Sequence, residues 1–295
     1  MIKRFTIIIF LLCSTYIIAQ QSDSIIRVLI ITAHPDDESG FAATVYKITH
    51  EQKGIVDLAV ITNGEAGYKY SLLAEPYYNL KLTDETTGRK YLPTIRKKEL
   101  LAAGNILGIN NYYFLDQQDN HYTLDVDTVL NQVWNVSLIK KRLSDIITNG
   151  KYEFIFCLLP TEETHGHHKG ATILALQTVN ELHSKKPIVL GASTSNKNDT
   201  ASLVFHGLKN FPITIIFDST SISTIDRNYS FGFKNQLNYK IIVNWEIAEH
   251  KSQGSMQNSM NRGDYENFWY FDMNGNDGRQ KVKMLFDRLN SYRYK

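Results

Sequence analysis

The chain has 295 residues, with 32 basic and 30 acidic side chains and a formal net charge of +2. Lys and Arg are scattered along it rather than gathered in a basic stripe, which argues against nucleic acid as a partner. With only two cysteines, Cys13 and Cys157, a disulfide framework is excluded.

Lys3 and Arg4 precede the apolar stretch FTIIIFLLCSTYIIA, which ends at Ala19 before polar QQSDS, the layout of a secretory signal peptide over residues 1–20. The stretch is shorter than the roughly 20 apolar residues a membrane span needs, and Ser14, Thr15 and Tyr16 interrupt it. Leu12, not a small residue, precedes Cys13, so a lipid-attachment site is not expected. The expected mature protein is exported, periplasmic or extracellular, has no stable membrane span, and forms one domain over residues 24–295. Its oligomeric state is open. Cys157 then stands alone in the apolar run FIFCLLP, where a buried inert thiol is expected.

RVLIIT (27–32) and IVDLAVIT (55–62) are short, nearly continuous apolar runs, the pattern of strands covered on both faces. Between them ESGFAATVYKITHEQ carries apolar residues at helical spacing. The unit reads strand, helix, strand, with a right-handed crossover and a parallel sheet. YKYSLLAEPYYNLKLTDETTGRKYLP (68–93) has few periodic signals and reads as a long loop.

From Thr94 the spacing predicts a helix ending near Gly108, then a strand at NYYFL. A helix is predicted over 128–147, a strand at YEFIFCLLP (152–160), a helix at GATILALQTVNELHS (170–184) and a short strand at PIVLGAS. Beyond about residue 200 the alternation weakens. LVFHG, ITIIFD and YKIIVNW suggest strands there, and KVKMLFDRLNSY a helix. The fold class is α/β, with an irregular C-terminal part.

In an open parallel sheet, ligands collect beyond the carboxyl ends of the strands. Two polar clusters fall there. His34, Pro35, Asp36, Asp37 and Glu38 follow the first strand, and PTEETHGHHKG (160–170) follows FIFCLLP with His165, His167 and His168. Imidazole nitrogen with carboxylate oxygen suits Zn²⁺, and catalytic zinc sites commonly have three protein ligands and an open position. His34 and Asp37, three apart at a turn into a helix, can point to one ion, with one histidine of HGHH as third ligand. Asp36 points to another side and is left as a general base for a water that the ion acidifies. A remaining histidine can stabilise an oxyanion or protonate a leaving amine. Together these parts hydrolyse an amide. Singly, HPDDE reads equally as an acidic helix start and HGHH as an exposed loop; for Glu38 the helix-start reading is retained.

These residues resemble the LmbE-like, or PIG-L, deacetylases, zinc hydrolases that remove N-acetyl groups from N-acetylglucosamine-containing substrates. The similarity rests on AHPDDE (33–38), TNGEAG (62–67), Arg96 and Glu99 with LG at 107–108, HGHH (165–168) and HKSQ (250–253). It implies a Rossmann-like three-layer fold with a mainly parallel sheet, and an amino-sugar or glycoconjugate substrate. It also implies Zn²⁺, or another divalent metal, on His34, Asp37 and His168. By the same resemblance Asp36 is the general base, His165 assists catalysis, and Arg96 lies at the substrate end, where a guanidinium can grip hydroxyl or phosphate oxygens. An ion pair of Arg96 with Glu99 or Glu65 is the alternative.

Two departures stand out. Members commonly place Asp or Asn before the liganding histidine, whereas this chain has His167, so Glu162 or Glu163 is expected to supply the missing carboxylate. The aromatic stretch from Tyr68 to Tyr91 is longer than the family spacing, with Tyr70, Tyr77 and Tyr78 as candidates to stack on sugar rings. Ser252 and Gln253 are read as capping a helix or holding a C-terminal loop. Trp245, Phe268, Trp269 and Tyr270 read as core or loop-anchoring aromatics. The rival readings are a metal-dependent esterase or amidase on a non-sugar acyl group, and a non-catalytic carbohydrate-binding protein. An intact Asp36 speaks against the latter, because a binding module needs no base.

Overall fold

The computed structural model describes residues 25–199 and 203–292, so the expected signal segment and Cys13 lie outside the described residues. β1 (Arg27–Thr32), β2 (Ile55–Thr62), β3 (Asn111–Gln117), β4 (Phe154–Leu158) and β5 (Ile188–Ser195) run parallel. They are followed by β6 (Ser223–Asp226), a small ribbon of β7 (Ser230–Phe231) and β8 (Leu237–Asn238), and β9 (Tyr265–Tyr270). β9 pairs antiparallel with β5 and with β6, completing a seven-stranded sheet of order β3-β2-β1-β4-β5-β9-β6.

β1 shows why the sheet is covered on both sides. Successive side chains of a strand point to opposite faces, and here both faces are apolar. Val28 and Ile30 pack with Ala42, Leu100, Leu107 and Ile242, and Leu29 and Ile31 with Trp134, Leu143, Ala171 and Leu174. The first set puts the helices Ala42–Tyr46, Glu85–Leu107 and Tyr239–Glu249 on one face; the second puts Val136–Gly150 and Gly166–Glu181 on the other. This is the three-layer, Rossmann-like α/β arrangement expected from the sequence. Among the described residues, no helix is long and apolar enough to cross a membrane.

Several elements differ from expectation. The helix expected from Thr94 starts at Glu85, inside the supposed loop, because the Asp84 side chain accepts from the Thr87 backbone N–H at 2.8 Å and caps it; Pro93 lies within it. The remainder of that stretch is a series of short turns and one-turn helices. The helix predicted over 128–147 is interrupted at Trp134, and Asn135 caps a new one at Val136. YKIIVNW is helical rather than extended: Tyr239, Ile242, Val243, Glu246 and Ile247 form one buried stripe at helical spacing, which the β-branched residues disguised. LVFHG (203–207) and ITIIFD (213–218) hold no strand; isolated bridges form at Leu208, just after the first, and at Ile216 in the second. The β9 strand YENFWY went unread, although its Phe268, Trp269 and Tyr270 are core residues as expected; Trp245, in contrast, is 56 % exposed. Cys157 is fully buried, and burial pushes its thiol well above the ordinary range, in line with an inert role.

Glu266 of β9 explains how the helix after HPDDE is held. Its carboxylate is fully buried and accepts from the backbone N–H groups of Ala43 and Thr44 at 2.8 and 2.9 Å, while Arg227 pairs with it at 2.8 Å. A remote strand thus serves the orphan donors of a helix start. Glu266→Ala leaves the buried Arg227 with the Ser39 carbonyl but no counter-ion, and two N–H groups without a partner, and should cost about 3–5 kcal/mol in denaturant unfolding. Glu266→Gln, which keeps an acceptor, should cost less.

Candidate active site

The strand order reverses between β1 and β4, with β2 and β3 to one side and β5 to the other. Loops leaving these two strands diverge and open a crevice at their carboxyl ends. HPDDE follows β1 and HGHH follows β4, so both motifs face one cavity. That cavity has a volume of about 640 Å³ and is lined by His34, Asp36, Asp37, Arg96, His165 and His168, all six of the residues expected from the sequence.

Asp37 is locked by its own backbone. Its Oδ2 accepts from the N–H groups of Ala33 and His34 at 3.0 and 2.8 Å, which turns Oδ1 to within 3.0 Å of His168 Nε2. His34 Nδ1 lies 3.1 Å from that nitrogen and 3.7 Å from Asp37 Oδ2. The 3.0 and 3.1 Å separations are close to those between donors on a tetrahedral ion with bonds near 2.0–2.1 Å, and one atom from each of the three residues lies within 4.8 Å of the others. The charges agree. Against burial, which disfavours a charged imidazole, Asp37, Asp119 and Asp36 push His34 up to about 9. Against the same cost, His168 and His34 hold Asp37 well below the usual carboxylate range. The set fits a divalent cation in donor type, spacing and charge.

Asp36 is held apart from the triangle. Its φ of +141° is unusual for a residue with a side chain, a strain of about 1–3 kcal/mol that the surroundings must enforce. They do so twice. The Asp36 backbone N–H donates to Glu38 Oε2 at 3.0 Å, and Gln253 Nε2 donates to Asp36 Oδ2 at 2.5 Å. Burial, with the Asp37 charge adding to it, pushes the Asp36 carboxyl up to about 6.

Glu38 is therefore more than the helix start expected of it. It is fully buried, and its Oε1 accepts from His250 Nε2 at 2.6 Å, so it ties the turn to the HKSQ segment. The rest of that segment does likewise. Ser252 bonds Glu99 through its backbone N–H and its hydroxyl, at 2.8 and 2.6 Å, and Tyr78 donates to the same carboxylate at 2.7 Å. HKSQ thus positions Asp36 rather than merely holding a loop.

HGHH is not in the loop before a helix but at its start. His165 is the cap of the helix Gly166–Glu181, and its Nδ1 accepts the His167 backbone N–H at 2.9 Å. With Nδ1 occupied as an acceptor, the neutral ring carries its proton on Nε2. Burial, together with His34, His167 and His168, pushes His165 down to about 3.

His167 points away from the cavity and is fully buried. The carboxylate beside it is neither Glu162 nor Glu163 but Asp119, in the loop after β3. Asp119 Oδ1 is 3.2 Å from His167 Nδ1, and its Oδ2 accepts from the Ala66 N–H at 3.0 Å. His167 and His34 hold Asp119 well below the usual range despite burial. The sequence signal was available but weak: Asp119 lies past the end of a third parallel strand, at the same edge of the sheet.

Arg96 is 1 % exposed and, among the described residues, forms no ion pair; its Nε and Nη2 have no hydrogen-bond partner. The expected alternatives, Glu99 and Glu65, are engaged by Ser252 and by the Asp119 N–H. Gly64 and Gly67 of TNGEAG make room for it, since a Cβ at either would collide with the guanidinium. Tyr70, one of the three stacking candidates, lines the cavity and is 56 % exposed, whereas Tyr77 and Tyr78 do not line it. Tyr122 was not foreseen. It stands at the rim with its ring edge-on to His165, 4.8 Å between centroids.

A family model described as PIG-L: GlcNAc-PI de-N-acetylase matches residues 29–179, just over half of the chain. The match takes in every residue of the donor triangle together with Asp36, Arg96 and Asp119. The chain is 27 % identical over 142 residues to the probable N-acetyl-alpha-D-glucosaminyl L-malate deacetylase 2 of Bacillus subtilis (strain 168), a match of 48 % of this chain and 55 % of that protein. The chain thus spans about half the length of the curated relative it matches. Among solved structures it is similar to the N,N'-diacetylchitobiose deacetylase of Pyrococcus horikoshii, with TM-score 0.50, 15 % identity, and 91 % and 80 % of the two chains covered. It is also similar to the 4-carboxy-2-hydroxymuconate hydratase of Pseudomonas putida KT2440, with TM-score 0.51, 15 % identity, and 83 % and 95 % covered. At such identities the likeness concerns the fold.

The buried Glu38, His250 and Glu246 group gives a pH dependence. The single proton on His250 Nε2 goes to Glu38, and Glu246, 3.3 Å from that nitrogen, has no hydrogen-bond partner on either oxygen. Burial pushes Glu246 up to about 8 from its ordinary 4.5, with His250 opposing and Glu38 reinforcing. A carboxyl raised on folding contributes stability that is complete below its unfolded pKa and is lost as pH rises through the folded one. Between pH 4.5 and 8 the wild type should therefore lose stability relative to Glu246→Gln, by several degrees in Tm at pH 8. Parallel Tm curves for the two proteins would refute this.

Proposed function

We propose that the chain, which belongs to the PIG-L (GlcNAc-PI de-N-acetylase) family, is a Zn²⁺-dependent hydrolase that removes an N-acetyl group from an N-acetylglucosamine-type amino sugar or glycoconjugate. The observation that carries this reading is the division of labour within HPDDE. Asp37 is fixed into a donor triangle with His34 and His168, while the adjacent Asp36 is fixed out of it, facing the same cavity. The family description and the name of the Bacillus relative support the substrate class.

Held by His34, Asp37 and His168, Zn²⁺ would supply Lewis acidity toward the acetyl carbonyl and the attacking water. Everything else falls to side chains. Asp36 has one oxygen bonded to Gln253 and uses the other to take the proton of the water that adds to the carbonyl carbon. The developing oxyanion is met by the Nε2–H of His165, a neutral donor whose orientation is set by the His167 backbone. When the C–N bond breaks, Asp36 returns its proton to the amine nitrogen, and acetate and the free amine depart. Arg96, which lines the cavity, offers its guanidinium charge to hydroxyl or phosphate oxygens of the substrate. Tyr70 and Tyr122 offer ring faces to the sugar at the rim.

Acetate release from a panel of N-acetylated amino sugars and their conjugates, with ester and non-sugar amide arms, tests the reading. Asp36→Ala should bind zinc normally and lose about 10²- to 10⁴-fold in rate. His34→Ala should lose the metal as well. Gln253→Ala should lower kcat about ten- to a hundredfold with zinc content unchanged. Full activity of Asp36→Ala overturns the mechanism. Turnover confined to the ester or non-sugar arms favours the esterase or amidase, and bound zinc without any turnover favours a carbohydrate-binding protein.

A further inference from the structure

His167 is the residue by which this chain departs from the family pattern, and its surroundings give it a task. Its buried ring sits behind the donor triangle, with Nδ1 3.1 Å from His34 Nε2, the nitrogen of His34 that faces away from the triangle. Asp119 Oδ1 flanks the same edge, 3.8 Å from His34 Nε2 and 3.2 Å from His167 Nδ1. The other faces of the group are closed. The Trp134 ring lies against His167 with 5.1 Å between centroids, and Asp119 is tethered by the Ala66 N–H.

An imidazole ligates a metal only through a nitrogen that bears no proton. For His34 Nδ1 to serve, the proton must sit on Nε2, and a buried N–H needs an acceptor. Among the described residues, the acceptors on that edge are His167 Nδ1 and Asp119 Oδ1. We propose that His167 and Asp119 together form the outer support of the metal centre, drawing the His34 proton to Nε2 and fixing the ring so that Nδ1 keeps its lone pair for the ion. His167 draws it by a 3.1 Å hydrogen bond, with its own proton on Nε2, which has no hydrogen-bond partner among the described residues, and Asp119 draws it by its charge. The opposite arrangement, with His167 Nδ1–H presented to His34 Nε2, drives the His34 proton to Nδ1 and blocks the ion. Ligation and the support therefore select the same tautomer. Metal-bound histidines commonly give their second N–H to a carboxylate directly; here an imidazole is interposed. His167 is a positioning residue, and the inference rests on His34, Asp37 and His168 being the ligands.

The test uses the full chain and Zn²⁺ affinity measured by chelator competition, alongside absorption spectra of the Co²⁺-loaded protein and Tm of the metal-free protein. His167→Leu removes the acceptor at similar size, and should weaken Zn²⁺ about 10- to 100-fold and shift the Co²⁺ bands while leaving the metal-free Tm close to wild type. His167→Asn, which can still present an acceptor, should recover most of the affinity. Asp119→Asn should weaken Zn²⁺ too, and its effect should be less than additive with that of His167→Leu, because the two act on one proton. If His167→Leu does not fold, His167→Asn and Asp119→Asn carry the comparison. Unchanged affinity and superimposable Co²⁺ spectra in folded variants overturn the proposal. A wild type that binds no Zn²⁺ overturns the ligand reading and the support with it. Zinc binding without acetate release, with the affinity losses intact, supports the support role and overturns the deacetylase reading alone.

Discussion

Burial of like charge at one end of a parallel sheet is the constraint on which the rest of the structure depends. Asp36, Asp37, Glu38 and Asp119 converge within a few residues of the switch between β1 and β4, where water is scarce and each ionised group is costly. The chain meets that cost with a different partner for each. Asp37 has two backbone N–H groups and His168, Glu38 has His250, Asp119 has the Ala66 N–H, and Asp36 has Gln253. The one whose pKa rises is the one that faces the cavity with an oxygen free of the triangle. The proposed proton acceptor and cation site are thus consequences of the same crowding, separated by which neighbour each carboxylate was given.

That arrangement explains why the chain needs its C-terminal part although the sheet's first five strands already form the crevice. Asp36 sits at a φ that its own turn does not favour, and both bonds that hold it trace back to the segment 250–253: Gln253 directly, and His250 through Glu38. The helix Tyr239–Glu249 delivers that segment, and β9 holds the start of the helix that follows HPDDE through Glu266. The late elements brace the turn whose shape sets the geometry of Asp36.

What could be read from the sequence follows the range of the interactions. Strands β1 to β5 were legible because continuous apolar runs are local, and the two motifs because each is contiguous and stands at a strand end. Glu38 was not legible beyond the helix start, since its partner His250 is 212 residues away. Asp119 belongs to no periodic pattern and becomes visible only when β3 is placed beside β2. YKIIVNW was misread because β-branched composition outweighed its helical spacing, and Glu85–Leu107 was read short because its helical spacing is clear only from Thr94, whereas the cap lies at Asp84.

On the proposed reading, position 167 shows how a site can keep its ligands while changing what supports them. An acid there would stand beside Asp119, adding a like charge to a pocket already short of solvent; an imidazole adds none, and can accept from one neighbour while facing the other. The His165 ring loses nothing by the exchange, because its Nδ1 is served by the backbone of residue 167 whatever side chain that residue carries. The two histidines that precede His168 in the sequence thus separate cleanly. His165 takes its tautomer from the helix start and faces the cavity, and His167 lies beside Asp119 and faces the back of the donor triangle.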